Sequence, residues 1–296
     1  MRSALIGLLA LSGLVWAADL NDTYKGLKDA FEMKDYAKVK ALSEETTKEA
    51  QELAKEKQPT EAGEVDAWKG RQQFAKEAGD YAEYTLAVSA SQATDPAMTI
   101  ELTDALIAMN PKSEQIDTAT PQYLAALGKQ GAAKAIAGAN KVLAGRPENE
   151  YALNAIATNW SAPGPALSAA NRLIAAMGKK KKPEGMSDAD WQKVKNDMLG
   201  SGYMSVGVIQ AGQSRYADAD RSLKAALPLV AGNSTMLSYA YYYLGVSNYQ
   251  MGKLTSDRSK MTAGLQYTDK AAATAGPMQG QASNNVTIMK REMGTH

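Results

Sequence analysis

Apolar residues recur three and four positions apart along almost the entire chain, and the interruptions are short clusters of Pro, Gly and Asn. That spacing is the signature of helices that each bury one stripe, whereas half-buried strands would need strict alternation. The pattern predicts an all-α protein built of helical hairpins, with no room for strand-helix-strand units. Composition supports the same reading. Alanine is abundant and two phenylalanines stand against 14 tyrosines and 14 methionines, which favours helices packed closely through small side chains. With 45% apolar and 22% charged residues, the chain can bury a substantial core.

Self-similarity sharpens this picture. Tyr203, Val206, Gly207 and Tyr216 align with Tyr241, Leu244, Gly245 and Leu254 at a constant offset of 38. Gly212-Gln213-Ser214 and Gln250-Met251-Gly252 then fall where a turn is expected, and Ala219, Leu223 and Ala226 share one face of a second helix. In the later copy the same offset places Asp257 and Gly264 in packing positions, so an insertion around residues 254–260 is expected, with Ala263, Tyr267 and Ala271 packing instead. These residues resemble the tetratricopeptide repeat, a helix-turn-helix unit of about 34 residues with Leu-Gly and an aromatic on its first helix. The resemblance implies an α-solenoid of stacked hairpins, with a concave surface lined by the first helices and a capping helix at the end. Gly207 and Gly245 would then mark tight helix crossings, which offset the cost of a mid-helix glycine.

Weaker copies extend the resemblance upstream. Tyr24, Leu27, Phe31, Asp35-Tyr36 and Val39 form one, and Trp68, Phe74, Gly79-Asp80-Tyr81, Tyr84 and Val88 another. Ala135, Ala139, Val142 and Arg146-Pro147 read as a second helix and its stop, followed by a full repeat through Tyr151, Leu153, Ile156, Trp160, Ala169, Leu173 and Ala176. The chain is accordingly divided into a leader at 1–17 and a single helical array at 18–296. Degenerate repeats cover about 20–98, an irregular helical segment 99–130, better repeats about 131–276 and a C-terminal cap 277–296. Ile107 to Pro111 resembles a repeat ending, although the helix pairing nearby is left open. Ser187-Asp188-Ala189-Asp190 resembles a capping box with Asp in place of Glu, and predicts one overlong helix that runs through Trp191, Val194, Met198 and Tyr203 to Gln210 and projects beyond the array. Val286, Ile288 and Met289 predict the capping helix.

Residues 1–17 read as a secretory signal: Arg2, an apolar run from Ala4 to Val15, and small residues at the −3 and −1 positions in Val15-Trp16-Ala17. Cleavage after Ala17 and a bacterial periplasmic location are expected. The run is short of the ~20 residues that span a bilayer, and no later segment approaches that length, so no stable membrane insertion is expected. Removal of Arg2 brings the 33 basic residues down to the number of acidic ones, 32. A neutral chain lacks the cationic excess that nucleic-acid binding requires.

The chemistry available is narrow. With no cysteine and with His296 at the terminus as the single histidine, thiolate metal sites, cysteine nucleophiles and Ser-His-Asp catalysis are set aside. Gly207 to Ser214 reads G-x-x-x-x-G-Q-S, but Gln213 stands where a phosphate-binding loop needs lysine. Glu44-Glu45, Asp188/Asp190 and Asp218/Asp220 fit helix-surface charge better than an acid–base pair. Lys179 to Lys182 form a basic connection, read as a solvated loop with binding to an acidic partner or an anionic envelope surface as its alternative. No catalytic residue, metal or cofactor is expected.

One feature points to binding. Among the tyrosines between residues 239 and 249, Tyr241 shares a face with Leu244, Gly245 and Asn248 and should pack on the second helix of its hairpin. Tyr239, Tyr242, Val246 and Tyr249 form the neighbouring stripe, which the resemblance places on the concave surface. Aromatics there suit a peptide ligand, while packing against the adjacent repeat or the cap is the competing explanation. The expected function is that of a periplasmic, non-enzymatic scaffold that binds a protein or peptide. A structural subunit of an envelope assembly or secretion complex and an enzyme on a helical frame are the alternatives, because fold alone does not fix function.

Overall fold

The computed structural model describes residues 19–294; the expected leader and His296 lie outside them. The described chain is all-α and forms two compact units that divide between Pro147 and Glu148, and within each unit consecutive helices pair as in a helical-repeat solenoid. Among the described residues there is no strand, and no helix is long and apolar enough to cross a membrane.

The first unit holds α1 (19–32), α2 (Tyr36–Ala54), α3 (Ala62–Gln92), α4 (Pro96–Met109), α5 (Ile116–Lys129) and α6 (Ala132–Gly145). Leu20 and Tyr24 of α1 pack on Ala50 and Leu53 of α2 and on Phe74, Ala75 and Ala78 of α3. Farther along the α2–α3 seam the core turns to hydroxyls, with Ser43 and Thr85 buried 3.2 Å apart. α3 runs unbroken through Gly79-Asp80, where the repeat spacing had suggested a turn. The buried stripe of Ala75, Ala78, Ala82, Leu86 and Ala90 continues across the site, and that packing outweighs the roughly 1 kcal/mol that one helical glycine costs. α4 starts on the Asp95 cap with Pro96 at its first position and ends before Asn110-Pro111, the ending that the sequence indicated.

The second unit holds α7 (Glu150–Ala157), α8 (Pro163–Lys179), α9 (Asp188–Gly212), α10 (Tyr216–Ala226), α11 (Ser234–Thr255), α12 (Arg258–Ala273) and α13 (Gln279–Met293). Neighbouring helices pair, and α9 also touches α7 and α11, the second-neighbour contact of a stacked array.

Three hairpins share one turn. Lys34, Ser214 and Ser256 are the only non-glycine residues with positive φ among the described residues, at 56°, 60° and 52°. Each ends a helix. The next residue's N–H reaches back five positions, from Asp35 to the Ala30 carbonyl (3.0 Å), Arg215 to Gln210 (2.9 Å) and Asp257 to Gly252 (2.9 Å). This left-handed cap satisfies carbonyls that the helix end would leave orphaned. Asp35 and Asp257 then cap the following helix through the amides of Lys38 and Lys260.

The last hairpin departs from the sequence reading in register. α11 continues past Gln250-Met251-Gly252 to Thr255, and α12 packs through Gly264, Thr268 and Ala271 instead of Ala263 and Tyr267. These residues correspond to Ala219, Leu223 and Ala226 at an offset of 45, seven more than on the first helix. Seven residues are close to two helical turns, so the hairpin grows longer while the same face stays inward.

Candidate functional site

The tyrosine stripe of α11 is internal. Tyr242 and Tyr249 are 7% and 3% exposed. Tyr242 packs with Ala271, Met278 and Ala282, with Val246 at its edge, and Tyr249 packs with Met289 and Met293. What covers them is α13. The Tyr249 hydroxyl donates to Glu292 (3.0 Å), and burial together with that carboxylate pushes its pKa up to about 12. Tyr239 sits edge-on against Trp160 at 5.1 Å, and Trp160 in turn donates its Nε1–H to buried Ser205 (3.1 Å). Tyr241 does lie on the second helix, stacked on Tyr267 at 6.4 Å, but it stays half-exposed with Lys270 over both rings. Of the two explanations for the stripe, packing against the cap describes Tyr242, Val246 and Tyr249.

An open concavity lies elsewhere in the second unit. Ser187 caps α9 by accepting from the Asp190 amide (3.1 Å) and donating to the Asp190 carboxylate (2.7 Å), and Asp188 and Asp190 suit the positive end of the helix. The helix thus begins at the expected box, yet buries nothing before Gly200. At Gly200 it meets the α10–α11 connection so closely that a Cβ would lie 2.7 Å from Val230 Cγ1. On the N-terminal side of this contact the two elements bound a trough of about 680 Å³. Gln192, Lys193, Asn196 and Asp197 form one wall, with Gln192 donating to Asn196 (2.7 Å); Leu229, Val230 and Met236 supply apolar surface opposite. Sequence reasoning located the start of this long helix from its cap. It missed the second wall, because residues 228–233 carry only generic loop signals and their folding back depends on the Gly200 contact.

A second exposed feature is a ladder of rings between α1 and α3. Tyr24 touches Phe74 (5.7 Å) and Tyr81 (5.3 Å), and Phe31 touches Tyr81 (6.3 Å) and Tyr84 (5.9 Å); Tyr84 is 42% exposed and the other rings are half-buried. Lys28 lies 4.1 Å above the Tyr24 ring, a cation–π contact.

The remaining motifs have structural occupations. Lys180 pairs with buried Glu150 (2.5 Å) and Lys182 with Asp188, while Lys179 and Lys181 are exposed. Gly207 lies under Leu223 in mid-helix, and Gly212 to Ser214 form the left-handed turn, so G-x-x-x-x-G-Q-S is a helix end and not a phosphate loop. Arg215 (2.7 Å) and Arg221 hold the Asp218 carboxyl below the usual range, and Asp220 pairs with Lys224 (2.8 Å) and accepts from Asn248 (2.7 Å). Glu44 and Glu45 are exposed. Among the described residues no three His, Cys, Asp or Glu side chains gather as a metal site. No family model matches the chain, and no curated protein shows significant similarity to it.

Proposed function

We propose that the protein is an exported, non-enzymatic adaptor, its hairpins degenerate relatives of the tetratricopeptide repeat, that holds a segment of another protein in the trough beside the N-terminal half of α9. The trough itself carries the reading. One wall offers amide donors and acceptors at Gln192 and Asn196 and both charge signs at Lys193 and Asp197, while the other offers Leu229, Val230 and Met236. That combination suits an extended main chain bearing an apolar side chain, since polar groups orient a ligand and apolar contact supplies affinity. Export rests on Arg2, the apolar run and Val15-Trp16-Ala17.

Photo-crosslinking in the source cells tests both parts. A benzophenone amino acid at Gln192 or Lys193 should capture the same partner, one at exposed Gln73 should not, and Asn196→Trp, which fills the trough, should abolish capture. Equal capture at all three positions, or capture that survives the Trp, would remove the trough as the site. An intact leader on the crosslinked chain itself would remove export.

A further inference from the structure

α13 is held from one side only, by α12 and by two tyrosines of α11. Of its residues only Ala282, Met289 and Met293 are buried, with Met278 just ahead of it. Their spacing of four, seven and four places them on one stripe. They meet Tyr242 and Ala271 at one end of the seat and Tyr249, Met261 and Leu265 at the other. The polar rim is equally specific. Asn285 donates to the Tyr242 hydroxyl (3.3 Å), Glu292 accepts from Tyr249 (3.0 Å) and Lys253 (2.9 Å), and Arg258 donates to the Met293 carbonyl (3.1 Å). The Lys253–Glu292 pair is 45% and 39% exposed, so water screens it. Three thioethers form most of the apolar contact, and such flexible side chains fill irregular surfaces without dictating one fit. Beneath the rim the Thr268 hydroxyl donates to Met289 Sδ (3.5 Å) and the Met278 amide to the Ser238 hydroxyl (3.1 Å), so α13 is held by three buried side chains, a few polar contacts and a screened ion pair, and an element held at so few points opens locally.

We propose that the α11–α12 face is a helix-accepting seat, that α13 is its resident occupant, and that a partner enters by displacing α13 with an amphipathic helix of the same chemistry. That helix carries Ala or Met at the four-seven-four spacing and a Glu three residues after the third of them, with its last carbonyls toward Arg258. The seated helix shows what the face accepts, and the basic corner of Lys253 and Arg258 explains why the C-terminal end, where a helix presents negative partial charge, lies there. The inference rests on the reading that the chain binds another protein, but it concerns a surface other than the trough.

The test uses the full chain and a labelled, amidated peptide of residues 278–293. With α13 closed most of the time, apparent affinity falls by the open fraction, so loosening the lid should tighten peptide binding. Glu292→Ala in the chain should bind the peptide about threefold to tenfold more tightly than the wild type does. The sequence has no cysteine, so Lys253→Cys with Glu292→Cys can be joined by a bifunctional maleimide, and joining them should weaken binding at least about tenfold. Hydrogen exchange on the unmodified chain should show the amides of α13 exchanging at least about tenfold faster than those around Gly245 in α11. The proposal is overturned if α13 is as protected as α11 and neither chain binds the peptide, or if binding survives the bridge. It is also overturned if the bridge joins two chains at low concentration, since a second copy then fills the seat. Failed crosslinking at Gln192 leaves these readouts intact, so the two surfaces stand or fall separately.

Discussion

The α9–α10 and α11–α12 hairpins are built to one plan and closed by different atoms. Gly207 and Gly245 occupy the same position, and at each a Cβ would collide with the partner helix. At Gly207 the first obstacle is the Leu223 side chain, at 2.5 Å. At Gly245 it is Thr268, with Oγ1 at 2.2 Å and the backbone N at 2.9 Å, and Gly264 answers from the other side with Tyr249 N at 2.5 Å. The first hairpin is spaced by a leucine, the second by two glycines that bring backbones together. Outside the seam the difference reverses: Tyr242 and Tyr249 stand where α9 has Met204 and Ala211. A close crossing on one face is thus accompanied by bulky rings on the other, and those rings need a further helix to cover them. That helix is α13.

The largest effect should come from the rings. Tyr249→Ala leaves a void under Met289 and Met293 and should cost about 3 to 5 kcal/mol, the range for deleting a large buried aromatic. Tyr241→Ala removes a half-exposed ring and should cost roughly 1 kcal/mol. Denaturant midpoints read the ranking, and equal losses would mean that α13 does not cover Tyr249. Alkaline titration gives a second measure. The folded-state pKa of Tyr249, about 12, lies above the unfolded value near 10, so its contribution is complete below about pH 10 and is lost as pH rises through about 12. Tyr249→Phe should flatten that part of the stability curve relative to the wild type.

The glycine contrast should be somewhat smaller. Gly264→Ala sets a methyl against backbone and should cost about 2 to 4 kcal/mol, because only separation of the helices relieves it. Gly207→Ala meets a side chain that can partly yield and should cost roughly 1 to 2 kcal/mol. If thermal unfolding shifts equally in the two variants, the hairpins are closed in the same way and the comparison fails.

What could be read in the sequence followed from local physics. The Ser187 cap, the turn at Gly212-Gln213-Ser214, the helix end before Asn110-Pro111 and the tight spacing at Gly207 and Gly245 each depend on residues within a few positions, or on one repeated spacing. The register of α12 did not, because a seven-residue insertion leaves helical periodicity intact and shifts which small residue faces inward. The tyrosine stripe stayed open between groove and cap for a related reason: periodicity shows that Tyr242 and Tyr249 share a face, but not whether solvent or α13 lies beyond it. The trough needed the Gly200–Val230 contact, which no local pattern announces.

The smallest effect has the opposite sign and tests the longest helix. Gly79 sits inside α3 where the repeat pattern suggested a turn, and a Cβ there would meet nothing within 4 Å. Its backbone is helical, since the positive-φ glycines are Gly131, Gly185 and Gly294. Alanine would therefore add no collision in the folded state while reducing the freedom of the unfolded chain, and Gly79→Ala should stabilise by about 0.5 to 1 kcal/mol. The same substitution thus runs from strongly unfavourable at Gly264 through moderate at Gly207 to favourable at Gly79, according to whether backbone, side chain or solvent stands opposite. Loss of stability at Gly79 would mean that α3 breaks there in solution and that the hairpin suggested by Gly79-Asp80-Tyr81 forms after all.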